Sequence, residues 1–180
     1  MEMLLSVQQK YILAVLRELG CLRKEQLCLL LQGRFDWPDF ETAQRRTEAM
    51  LRQLHNGVGE FHSDAQFVWL GNVHPDARRL EAIDVMLELS ENHPQDFSAK
   101  CQGPELLRFS LDGSSLRLFT VATLSDPLHS SGPARDSPGR VVWISDSGTP
   151  PDHLVLPPKH FFCCPAAGRL TPVLWLLMEP

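Results

Sequence analysis

Over the first seventy positions apolar residues return at helical spacing, and glycine and proline mark the breaks. Ile12, Val15, Leu16 and Leu19 recur three and four residues apart, which predicts a helix over residues 6–19 that Gly20 stops. A second helix is expected from near Arg23, turning Leu27, Leu30 and Leu31 inward and ending at Gly33. After Trp37 and Pro38, Asp39 is placed as an N-cap. Phe40, Ala43, Thr47, Met50, Leu51 and Leu54 then form one stripe of a third helix running to Asn56-Gly57. Beyond it the pattern becomes extended. Residues 58–61, a polar turn at His62-Ser63-Asp64, and residues 66–70, where Phe67 and Trp69 alternate with their neighbours, predict a hairpin.

Three helices and a hairpin in this order predict a winged helix-turn-helix over residues 1–72. His74-Pro75 punctuates the chain, and residues 76–89 predict a fourth helix with Leu80, Ile83, Met86 and Leu87 on its apolar side. This helix, within residues 73–92, is expected to act as a connector. From Asn92-His93-Pro94 onward the period is that of strands, with candidates at residues 105–111, 114–124, 140–145, 161–164 and 173–178. Leu111-Asp112-Gly113 is a hairpin signal. Residues 125–139, SDPLHSSGPARDSPG, are mostly Ser, Pro and Gly and predict a long mobile loop. The expected fold class is therefore α+β, with residues 93–180 forming a second, small domain.

Composition narrows the classes of function. The chain has 180 residues, 43% of them hydrophobic and 22% charged, which is a globular balance. No apolar run reaches the roughly 18–20 residues of a membrane-spanning helix. The opening MEMLLSVQQKY lacks the features of a secretory leader, so a cytoplasmic location and no membrane partner are expected. A formal net charge of −5 argues against coating nucleic acid through bulk charge. Five cysteines in apolar surroundings are expected to be reduced and mostly buried.

The third helix carries the candidate chemistry. With its apolar stripe turned inward, a step of about 100° per residue places Glu41, Arg45, Glu48 and Arg52 opposite, flanked by Thr42, Arg46, Ala49 and Gln53. Thr42, Arg45, Arg46, Arg52 and Gln53 are side-chain types that meet base edges and phosphates. Arg23 and Lys24 at the start of the second helix, with His62 in the wing turn, extend the candidate patch toward a DNA backbone. The competing reading rests on Glu41–Arg45 and Glu48–Arg52, i,i+4 pairs with the acid N-terminal, which decorate any solvated helix. Residues 1–72 hold eight Lys and Arg against nine Asp and Glu, so affinity for DNA must come from a focused patch. Trp37 and Trp69 read as covers of the core rather than stacking platforms.

Other chemistries find little support. C-x-x-C and H-E-x-x-H are absent, and Cys163-Cys164 with His160 is the nearest approach to a metal site. Adjacent strand residues point to opposite faces, so at most one of those cysteines could join His160. No G-x-S-x-G, GxGxxG or GxxxxGK[ST] occurs. No metal, nucleotide or other cofactor is expected.

LSVQQKYILAVLRELGCLRKEQLCLLLQ, the third-helix segment TAQRRTEAMLRQL ending in NG, the fourth helix, and DFSAK followed by PELLRFSLDGSSLRLFTVATL together resemble the replication-relaxation and mobilisation-accessory proteins of bacterial mobile elements. The resemblance implies a winged-helix DNA-binding domain followed by a small α/β domain with a mixed sheet, similar to a restriction-endonuclease core. Such cores hold Mg²⁺ with two acids, the second two residues ahead of a lysine. Here Ser98 and Pro157 stand two residues before Lys100 and Lys159, so the core is expected to be degenerate and not to cleave. Asp96, Glu105 and Asp112 are the acids to follow. The resemblance thus points to a non-catalytic accessory protein, with double-stranded DNA, a relaxase or replication protein, and a second copy of the chain as expected partners. The alternative is a winged-helix platform that binds protein and no DNA.

Overall fold

The computed structural model describes residues 4–111, 116–123, 139–144 and 159–163. Helix α1 (Val7–Leu19) opens on a capping box, in which Ser6 Oγ accepts from Gln9 N and Gln9 Oε1 accepts from Ser6 N. It closes on Gly20, whose φ of 82° suits a residue without a side chain. Strand β1 (Cys21–Arg23) leads into α2 (Lys24–Arg34), and α3 (Phe40–Gly57) follows with Asp39 as N-cap, its carboxylate accepting from Thr42 N at 2.7 Å. Strands β2 (Phe61–Ser63) and β3 (Phe67–Leu70) pair antiparallel. Strand β1 pairs antiparallel with the other side of β3, giving a three-stranded sheet in the order β1-β3-β2.

Helix α4 (Ala77–Leu89) precedes β4 (Phe97–Ser98), β5 (Glu105–Leu111), β6 (Arg117–Thr123), β7 (Arg140–Ile144) and β8 (His160–Cys163). These strands form a mixed sheet in sequential order, antiparallel from β4 to β6 and parallel from β6 to β8. The fold is α+β.

The connector prediction understates α4. Leu80, Ala82, Ile83, Val85, Met86 and Leu87 are all buried, more than one amphipathic face requires. The helix packs on α2 and β1 and also on β5 and β6, and one hydrophobic cluster runs from Ile12 and Leu30 through Ile83 and Met86 to Val121 and Val142. Two further expectations shift. His62 and Ser63 belong to strand β2, and the turn lies beyond them, where Asp64 Oδ1 accepts from Gln66 N and Phe67 N. On β3 it is Val68 that is fully buried, while Phe67 and Trp69 are half-buried.

Gly33 does not end α2. It lies inside the helix, and a Cβ built there would come within 2.0 Å of Asn92 O, so glycine is required by the close approach of the chain after α4. The second-half strands at 105–111, 140–145 and 161–164 stand as β5, β7 and β8 within a residue or two of their predicted limits. Asp112-Gly113, most of the 125–139 segment, Cys164 and the 173–178 strand candidate lie outside the described residues. Among the described residues no helix is long and apolar enough to cross a membrane.

Candidate nucleic-acid interface

Helix α3 stands with Ala43, Thr47, Leu51 and Leu54 buried and with Arg45, Arg46, Glu48, Arg52 and Gln53 exposed. The guanidinium ridge therefore faces outward. Neither i,i+4 pair expected from the sequence forms. Among the described residues no ion pair joins Glu41 to Arg45 or Glu48 to Arg52. Both arginines are exposed to solvent, and a side chain in water gains little from an exposed pair.

One flank of α3 forms a wall of two adjoining clefts. The larger, of about 480 Å³, is bounded by Lys24, Cys28, Phe40, Gln44, Glu48 and Gln66 among others. The second, of about 430 Å³, is bounded by Lys24, Glu48, Arg52, His55, Asn56 and Ser63. Lys24, Glu48 and Leu51 are common to both. The opposite wall is fixed because Lys24 N donates to Gln66 O at 2.8 Å, tying the start of α2 to the hairpin turn. Lys24 and Arg52 thus face one trough, and Arg45 lies on the ridge beside it.

Thr47 lines this trough at 0% exposure, and its Oγ1 makes no hydrogen bond. The neighbouring Cys28 thiol feels that hydroxyl without meeting it in bonding geometry. Burial dominates and pushes the thiol upward.

The remaining predicted residues are engaged by other parts of the fold. Arg23 borders the larger cleft, but its guanidinium is taken up by α4, with Nη1 2.9 and 2.7 Å from the two carboxylate oxygens of Asp84. Thr42 is tied to the N-cap of its own helix, its Oγ1 donating to Asp39 Oδ2 at 3.1 Å. Hydrogen bonding to Thr42 holds the Asp39 carboxyl below its ordinary range, with a smaller contribution from the charge of Arg45. Arg46 and Gln53 lie on the far flank of α3. The Arg46 guanidinium sits 5.4 Å from the Trp37 ring centroid, and Gln53 Oε1 accepts from Gln9 Nε2 at 2.7 Å.

His62 alternates with the buried Phe61, so it projects from the opposite face of the sheet, where it stacks on Trp69 at 5.7 Å. The structure brings together Lys24, Arg45 and Arg52, and with them Gln44, Glu48, His55, Asn56, Ser63 and Gln66. Of this second group only Glu48 was singled out by helical phase. Gln44, His55 and Asn56 stand on the trough side of α3 itself, and Ser63 and Gln66 reach it through the register of the hairpin, which periodicity does not encode.

In the larger sheet, Glu105 is buried and ion-paired with Arg108, and Lys100 Nζ donates to Glu18 Oε1 at 2.6 Å. Buried His160 accepts at Nδ1 from Trp143 Nε1 at 3.0 Å. Asp112 lies outside the described residues. Among the described residues no three His, Cys, Asp or Glu side chains converge as metal ligands would. No family model, curated protein or solved structure matches the chain.

Proposed function

We propose that this chain is a non-catalytic DNA-binding accessory protein. Its first six elements are read as a winged helix-turn-helix, with α3 entering the major groove and the β2-β3 turn approaching the backbone. The element order α1-β1-α2-α3-β2-β3 and the three-stranded antiparallel sheet support that reading. The second half is read as similar to a restriction-endonuclease core that has lost its chemistry. The succession of α4, an antiparallel β4-β5-β6 and parallel β7 and β8 supports this, as does the commitment of Glu105 to Arg108 and of Lys100 to Glu18. That half is then available to a relaxase or replication protein, or to a second copy.

The observation that carries the proposal is the pairing state of α3. Arg45 and Arg52 lie two turns apart on one exposed line, unpaired, with Lys24 across the trough from Arg52. Two cations on the ridge and a third across the trough provide a local field that the net charge of the chain does not. Titration against labelled duplex tests it, with loss of binding expected in the Arg45→Ala/Arg52→Ala double variant.

One observation favours a protein partner instead. Phe40 is 37% exposed at the rim of a trough that also holds Glu25 and Glu48, a mixture suited to an amphipathic peptide. Binding that survives nuclease treatment of the extract, with no affinity for duplex, is the outcome this second reading expects.

A further inference from the structure

Resting on the DNA-binding reading, we infer that Glu48 sets the base preference of α3 by accepting a hydrogen bond from the exocyclic amine of a cytosine in the major groove. Glu48 follows Arg45 by three residues and precedes Arg52 by four, so it lies between them on neighbouring turns of the same helix. The two arginines are separated by about 10 Å along the helix axis, roughly three base-pair steps. Helical phase turns Glu48 about 40–60° from their line toward the trough, so a duplex engaged by both passes beside the Glu48 carboxylate.

That carboxylate is exposed and forms neither a hydrogen bond nor an ion pair among the described residues. It also lines both clefts opposite Lys24. A phosphate at this point is repelled, so the group that fits here is a base edge. An ionised carboxylate only accepts hydrogen bonds. In the major groove guanine presents N7 and O6, both acceptors, and thymine presents O4 and a methyl group. Adenine offers an amine beside an acceptor N7, which opposes the second carboxylate oxygen. Cytosine offers its N4 amine without that opposition. Glu48 thus lowers affinity for DNA in general and restores it where a cytosine lies beneath.

The test is enrichment of a randomised duplex pool by the full chain and by Glu48→Gln, followed by affinity for the enriched duplex and for one with the selected C·G pair replaced. Glu48 is exposed, and a matching thermal melt establishes that the variant folds. For the wild type the replacement is expected to weaken binding about 5- to 150-fold. In Glu48→Gln that ratio should collapse or turn toward adenine, which glutamine bonds in bidentate fashion, while affinity for unselected duplex rises. An unchanged ratio in the variant overturns the inference. Salt-sensitive binding with no enriched sequence overturns it too and leaves the DNA-binding reading in place, whereas absence of binding to any duplex overturns both.

Discussion

The guanidinium of Arg23 and the carboxylate of Asp84 join the start of α2 to the middle of α4, at 2.9 and 2.7 Å and across 61 positions of sequence. Gln26 Nε2 donates to the same carboxylate at 2.6 Å and to Leu80 O at 2.8 Å. Both partners of the ion pair are about a quarter exposed, at 26% and 29%, which places the contact between a screened surface pair and a buried one. Asp84→Ala is expected to lower stability by about 1–2 kcal/mol, read from the urea midpoint. Arg23→Ala should cost a similar amount while leaving duplex affinity unchanged, because this arginine holds the fold.

At Gly33 two effects of substitution oppose each other. Alanine gains about 1 kcal/mol of helix propensity over glycine, but its Cβ would lie 2.0 Å from the backbone oxygen of Asn92. A backbone atom cannot rotate aside, so overpacking at about 1–3 kcal/mol or more wins. Gly33→Ala is expected to lower the melting temperature by several degrees, the shift that about 1 kcal/mol produces in a domain of this size. An unchanged melt would show that the chain after α4 does not press on α2.

The Cys21 thiol, 4% exposed, is pushed up to about 11 by burial, with a smaller push from the negative charge of Asp64. In the unfolded chain it ionises near its ordinary 9.0. Between these values the unfolded chain binds fewer protons than the folded one, so stability falls as pH rises, by up to about 1.4 kcal/mol per pH unit from this group. Its contribution is complete below the unfolded value. Urea denaturation at a series of alkaline pH values should show this decline, and Cys21→Ala should flatten it. An equally steep decline in the variant would exclude this thiol as the cause.

How much of this was legible in the sequence depends on how local each signal is. The cap at Asp39, the stop at Gly20 and the stripe from Ala43 to Leu54 all lie within one element, and the helices stand where those residues place them, whereas the capping box at Ser6 reads in the sequence only as the start of the helix. Strand β1 has three residues and β4 two, too few to establish a period, and both exist through pairing with β3 and β5, which are distant in sequence. The same limit applied to the candidate site. Helical phase identified Arg45 and Arg52 as outward, but Arg23 was lost to Asp84, Arg46 to Trp37 and Gln53 to Gln9, all tertiary contacts that leave no trace in local spacing. Gly33 read as a stop because its reason, Asn92 O, lies on another element.

The most direct measurement is the affinity of the intact chain for labelled duplex as a function of salt, set beside the Arg45→Ala/Arg52→Ala variant. Cations at Lys24, Arg45 and Arg52 that each displace a counterion predict a fall of roughly 40-fold between about 0.05 and 0.2 M salt, with a markedly shallower dependence in the variant. Binding that ignores salt, or a double variant that binds as the wild type does, would contradict the account.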